Sequence, residues 1–314
     1  MSYACAYSRT EEVRYGSPAS EESLKRLREL GVNWISIMPF GFQRSEPAVR
    51  MGGYEDDDSL RGATRQAHAL GIKVMLKPHV WSRDEAAMMR WTDEEWRAWL
   101  VSYEAFITHY ATLARDAQMD ALCIGNEQKH ATRFDAEWRR IIALVREIYK
   151  GPITYGANFD EVEKVAFWDA VDWIGVSAYF PLVPDAKPTA EALSDAWQPV
   201  MRRLSALSHK YDKPILFTEI GYRSAEGAAW RQWELPRNAP LSFEVQRAAY
   251  EAFFKTVWPR PWLLGAYPWK WFSGPNHRAP AENDFEVEGK PAAEVIRRHY
   301  TAPLHSATSS SMRR

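Results

Sequence analysis

Twice in its first eighty residues the chain ends an amphipathic helical pattern in Leu-Gly and turns at once into a β-branched run. Leu30-Gly31 precedes VNWISIMPF, and Leu70-Gly71 precedes IKVMLKPHV. Glycine just past a helix, followed by a strand pattern, marks a helix-to-strand return. The same alternation continues, with strand-like runs near residues 2–7, 33–39, 72–79, 121–127, 153–157, 172–179, 214–220 and 263–271. Helical patterns separate them near 18–30, 58–70, 93–117, 135–149, 189–211 and 242–257, with shorter candidates near 161–168 and 291–300. Strands that alternate with helices pair in parallel, and eight such units close the sheet. The expected fold class is α/β, a single-domain (β/α)8 TIM barrel over residues 1–303, with the Ser-rich segment 304–314 a disordered tail. The alternative, an open doubly wound sheet, has no G-x-G-x-x-G or Walker lysine motif behind it.

Local signals agree with the alternation. Ser17-Pro18 supplies an N-cap and a first-turn proline for a helix with Leu24, Leu27 and Leu30 on one stripe. Thr92 and Glu95 form a capping-box pattern ahead of Trp96, Trp99, Tyr103, Phe106 and Tyr110, which keep the helical period and read as core.

Composition limits the partners. With 46% hydrophobic and 26% charged residues, the chain can bury a large core without disulfides, and Cys5 and Cys123 read as free buried thiols. A formal net charge of -1 and the absence of a cationic stripe argue against nucleic acid. No apolar run approaches the ~20 residues of a membrane span, so no membrane partner is expected. No signal peptide is visible; the expected compartment is the cytoplasm, or the exterior if the sequence is a mature fragment. Fifteen tryptophans suit a cleft that holds sugars against flat aromatic faces.

In a barrel, chemistry gathers at the C-terminal ends of the strands. The fourth run ends LCIGNE at Glu127, and the seventh contains LFTEIGY with Glu219. Alternate strand residues face inward. On the fourth run Leu122 and Ile124 suit the helix side, leaving Cys123, Gly125 and Glu127 inward. Ile35, Ile37, Ile174 and Val176 likewise face helices, which leaves Ser177 and Tyr179 inward. Parity also groups Glu219 with Phe217, His79 with Lys77, and Trp269 with Tyr267 and Trp271. Asn126 breaks the alternation and could point inward only through a bulge or twist. Two carboxyls across one mouth are what glycosidic cleavage needs: one protonates the leaving oxygen, the other attacks or stabilises the anomeric carbon.

Asn126-Glu127 ending the fourth strand and Glu219 ending the seventh resemble the clan A glycoside hydrolases, which are retaining barrels. More narrowly, GVNWISIMPFGFQ, KVMLKPHVW, CIGNE, ITYGAN, DWIGVSAYFPL and PILFTEIGYRS are similar to glycoside hydrolase family 113, whose characterised members are β-mannanases. The likeness runs from about residue 15 to 272 and is least visible in loops 223–241 and 272–290. It implies that Glu127 is the acid/base, Glu219 the nucleophile and Asn126 the partner of the sugar 2-hydroxyl. Tyr179 would hydrogen-bond Glu219, Trp269 would floor the reacting sugar, and His79, Trp81 and Trp271 would line the site. The substrate implied is a β-linked oligo- or polysaccharide, foremost β-1,4-mannan. Another clan A β-glycanase, acting on xylan or β-glucan, stays open, because subsite walls decide the sugar. A non-catalytic carbohydrate-binding barrel also stays open, and turnover of an aryl glycoside would eliminate it. No cofactor is expected. No metal is expected either, since His79, His130 and Asp160 lack ligand spacing.

Overall fold

A computed structural model of the chain describes residues 1–7, 12–82, 85–275 and 282–302; the expected tail at 304–314 lies outside them. Eight runs of strand form the barrel: β1 (Ser2–Ala4), β2 (Trp34–Ile37), β3 (Lys73–Leu76), β4 (Ala121–Asn126), β5 (Ile153–Asn158), β6 (Trp173–Ser177), β7 (Ile215–Ile220) and β8. The last is split into Leu263–Pro268 and Trp271–Phe272. Neighbours pair in parallel, and Trp271 and Phe272 pair with Tyr3 and Ala4, so the sheet closes on itself.

Among the described residues, seven helices of more than two turns cover the barrel: α1 (Pro18–Glu29), α2 (Asp57–Ala69), α3 (Asp93–Asp116), α4 (Asp135–Ile148), α5 (Ala190–Tyr211), α6 (Phe243–Thr256) and α7 (Pro291–Thr301). The signals read from sequence operate as expected. Ser17 Oγ accepts from Ser20 N at 3.1 Å, the Thr92–Glu95 capping box is complete, and Gly31 and Gly71 stop their helices at φ +88° and +68°. The α3 stripe is buried throughout. Cys5 and Cys123 are separate free thiols.

The β5–β6 crossover departs from expectation. Residues 161–168 do not form an α-helix but a series of turns ending in a 3-10 helix, Phe167–Ala170. Side-chain burial overrides local pattern here. Val162, Val165, Phe167 and Trp168 all plug the core, and Trp168 Nε1 donates to Val162 O at 2.8 Å. Nor do β2 and β3 run on as single strands. Beyond them Phe40–Gln43 and His79–Ser82 pair in parallel in a separate small sheet, with Arg50–Met51 antiparallel to Phe40–Gln43. Pro78, which has no N–H to give a ladder, falls at the break after β3.

The barrel is narrow where β5 and β6 meet. A Cβ on Gly175 would stand 2.2 Å from Tyr155 O and 2.7 Å from Thr154 Oγ1. Because the neighbour is backbone, Gly175→Ala is expected to force the two strands apart at a cost of about 1–3 kcal/mol. A urea midpoint unchanged from wild type would show that the strands relax without penalty.

Candidate active site

The C-terminal ends of the strands open into a cleft of about 920 Å3 whose lining includes Glu127, Tyr179, Glu219 and Trp269. Simple alternation does not place these groups. On β4, Leu122 and Ile124 pack outward, while Cys123 packs inward with Met75, Leu216 and Tyr267, as expected. The register with β5 then shifts between Cys123 and Asn126. Gly125, expected inward, faces outward instead: a Cβ there would stand 2.9 Å from Trp138 and Tyr155. Asn126 takes the inward place, through the bulge that an inward position there requires. Its Nδ2 donates to His79 Nδ1 at 3.0 Å, and its Oδ1 lies over Gly156, where a Cβ would stand 2.5 Å away.

Renewed alternation would turn Glu127 away. It adopts φ +57°, uncommon for a residue with a Cβ, and lines the cleft. Its N–H donates to Gly156 O at 2.8 Å. The turn is fastened from behind: the Tyr155 hydroxyl accepts from Gln128 N at 2.8 Å and donates to Glu161 Oε1 at 3.1 Å.

A second register shift, between Phe217 and Glu219 on β7, corrects another parity grouping. Phe217 packs outward against Trp197 and Phe253. Glu219 points the other way and is only 6% exposed. The ammonium of Lys77, fully buried just past β3, donates to Glu219 Oε1, and the Tyr179 hydroxyl donates to Oε2 at 2.6 Å. Lys77 Nζ also lies 5.6 Å from the centroid of the Trp269 ring.

These contacts drive the two carboxyls apart. Burial alone would raise Glu219, but the Lys77 ammonium and the Tyr179 hydroxyl outweigh it and hold the group below the usual carboxylate range. Burial and the Glu219 charge push Glu127 up to about 7, against the pull of the Ser177 hydroxyl and Lys77. Burial lowers His79 to about 4, so its ring is neutral near pH 7. With Nδ1 accepting from Asn126, the ring proton falls on Nε2.

Of the residues singled out from sequence, Glu127, Glu219, Tyr179 and Trp269 line the cleft, and Asn126 and His79 meet beside it. Trp81 and Trp271 lie elsewhere. Trp81 stands 50% exposed on the small sheet, edge-on to Phe42. Trp271 is 4% exposed and donates Nε1 to Ser23 Oγ of α1 at 3.0 Å, because that piece of β8 turns its ring toward the helices. Lys77 was visible only as an inward position in register with His79; its partner lies on the opposite part of the barrel. Phe159, Arg223 and Trp233, which also line the cleft, sit in loops where no periodicity marks them. Among the described residues no cluster of His, Cys, Asp and Glu is arranged to hold a metal ion, and no helix is long and apolar enough to cross a membrane.

Comparison with known proteins points to glycosidases. The model of glycoside hydrolase family 113 matches residues 1–290. A family 113 β-1,4-mannanase, solved as a complex, superposes with a TM-score of 0.83 at 27% identity, covering 96% of this chain and 98% of its own. The family 113 β-mannanase AaManA of Alicyclobacillus acidocaldarius, solved with ManMIm, gives 0.80 at 30% identity, with 96% of each chain covered. A family 5 mannosidase of Rhizomucor miehei shares the fold at 13% identity, with a TM-score of 0.64 over 95% of this chain and 91% of its own. No curated protein sequence matches the chain. The barrel, the carboxyl pair at its mouth and these matches lead to one assignment: the chain is a glycoside hydrolase and belongs to glycoside hydrolase family 113.

Proposed function

We propose that the protein is an endo-acting β-1,4-mannanase that cleaves mannan or manno-oligosaccharides with retention, Glu219 serving as nucleophile and Glu127 as acid/base. The observation that carries this reading is two carboxyls in one cleft with protonation tendencies pushed in opposite directions, Glu219 held anionic and Glu127 raised to about 7 so that it keeps its proton below neutral pH. Such a pair divides a double displacement between its members. The two family 113 structures at 27% and 30% identity are both described as mannanases, which supports the sugar.

In this mechanism the Glu219 carboxylate attacks the anomeric carbon as Glu127 gives its proton to the leaving oxygen. Esterifying Glu219 removes the charge that helps raise Glu127. The Glu127 carboxylate, now less basic than before but free of its proton, takes one from the incoming water, and the glycosyl ester is hydrolysed. Lys77 and Tyr179 orient the nucleophile and keep it ionised. Asn126 meets the 2-hydroxyl of the reacting sugar, and Trp269 floors it. Neutral His79 turns Asn126 by accepting from its amide.

The active form has Glu219 deprotonated and Glu127 protonated. On wild type, kcat/KM is therefore expected to rise as pH climbs through the lowered Glu219 value, below the ordinary 4.5, and to fall through the Glu127 value of about 7. Lys77→Met leaves Glu219 buried without its cation. The acid limb should move toward neutral pH and activity should fall by roughly a hundredfold or more, with Lys77→Arg keeping the limb low. A profile in Lys77→Met whose acid limb stays in place would deny Lys77 its electrostatic role.

Stereochemistry separates the two glutamates. Azide should rescue Glu219→Ala on an activated aryl β-mannoside to give an inverted product, and Glu127→Ala to give a retained one. The reverse pattern would exchange the roles. Product analysis on mannan, glucomannan, xylan and carboxymethylcellulose tests the sugar, and equal or faster cleavage of xylan or carboxymethylcellulose would sink the mannanase reading.

A further inference from the structure

The loop that follows β7 carries an exposed aromatic surface built with unusual care. Trp233 is 54% exposed, yet its ring stacks on Phe159 of the loop after β5, with centroids 5.4 Å apart and planes at 28°. Phe159 in turn meets Phe180 edge-on at 5.7 Å, which ties the pair to the core ring of Trp197. The backbone beneath Trp233 is anchored on both sides. Gln232, buried, donates to Gly221 O at 2.7 Å and accepts from Arg223 N at 3.2 Å. The buried Arg223 guanidinium donates to the carbonyls of Leu235, Pro236 and Arg237 at 3.1–3.4 Å and to Asn283 O at 3.2 Å. An exposed tryptophan held this firmly presents a preformed apolar face, and both its ring and Phe159 line the cleft that contains Glu127 and Glu219.

We propose that the Trp233–Phe159 stack is a sugar platform on the leaving-group side of the cleft, binding a β-linked hexopyranose beyond the scissile bond. This rests on the reading of Glu127 as acid/base. The side follows from the neighbours: Phe159 adjoins Asp160, which pairs with Lys129, two residues past Glu127 on the same loop. The group that would protonate the leaving oxygen therefore shares its loop with the platform's polar edge. Of the residues assigned to the reacting sugar, His79 opens the small-sheet strand beyond β3 and Trp269 sits in the break of β8, both away from the Glu127–Lys129 loop in the chain, while Asn126 ends β4 just before that loop. Lys129 and Asp160, each near two-fifths exposed, offer a donor and an acceptor to sugar hydroxyls while the ring offers its face.

The test compares two substrates that differ only in what occupies the leaving-group side: mannopentaose, and an aryl β-mannobioside whose leaving group is a phenol. In Trp233→Ala, kcat/KM on mannopentaose is expected to fall roughly ten- to a hundredfold, chiefly through KM, and to fall at least tenfold less on the aryl mannobioside. Trp233→Phe should recover most of the loss. Equal losses on both substrates, or no loss on mannopentaose, would overturn the platform. Should wild type cleave no β-mannoside, the mannanase reading fails separately. The platform is then decided by calorimetric binding of mannopentaose, cellopentaose and xylopentaose to Glu219→Gln with and without Trp233→Ala. Weakened binding of any of the three supports it, and binding of none, or binding untouched by the substitution, refutes it.

Discussion

The ion pair between Lys77 and Glu219 is the constraint around which the barrel mouth is arranged. Taking two charges out of water costs several kcal/mol per ion, and mutual attraction repays this only when further hydrogen bonds satisfy both groups. Each partner here has such help. Tyr179 donates to the second carboxylate oxygen, and the face of Trp269 lies within cation–π reach of the ammonium. A glutamate this deeply buried without a cation would hold its proton near neutral pH and could not attack carbon. With Glu219 in its proposed role as nucleophile, the pair is thus better explained by chemistry than by stability. Hydrophobic residues of similar volume would fill the same space at less cost, but would leave no anion.

Much of the scaffold was legible because it is local. Caps, stop glycines and apolar stripes are set within a few residues of one another, so α1, α2 and α3 appear where their own signals place them. Both glutamates could be located too, since the ends of barrel strands are where function collects. The direction of each side chain was harder. Alternation correctly put Cys123 inward and Ile35, Ile37, Ile174 and Val176 outward, but failed at Gly125 and Phe217. Those failures coincide with the two register shifts just below the carboxyls. A shift of register is a property of two strands together, and one strand's residues do not announce it. Glu127 was rightly placed inward for an incomplete reason: a shift and a left-handed backbone turn cancel.

What stayed illegible is long-range. Lys77 and Glu219 are 142 residues apart, and no spacing connects them. Trp271 carries the same chemistry as Trp269 two positions earlier, yet one faces the cleft and the other bonds Ser23 beneath it. Tryptophan count alone could not tell platform from core, because aromatic rings serve both. Likewise residues 161–168 had helical pattern but were recruited as plugs, with Val162, Val165, Phe167 and Trp168 all buried.

The two glutamates are also held by scaffolds of different kinds, and the difference suits the roles proposed for them. Glu219 is gripped at its carboxylate, both oxygens occupied, so its charge and aim are set directly. Glu127 is gripped through its backbone: Gly156 O takes its N–H, and Tyr155, braced on Glu161, takes the next one. Among the described residues no ion pair ties the Glu127 carboxyl to a cation, and Lys77 is paired with Glu219. A group that must give up a proton and later recover one cannot be tied to a fixed charge, since the same contact would stabilise one protonation state at the expense of the other. In the proposed mechanism its protonation instead follows the charge on Glu219, which would disappear when the glycosyl ester forms and return when it is hydrolysed. Fixing the turn while freeing the carboxyl would let one residue serve as acid and then as base without moving, as the proposed mechanism requires.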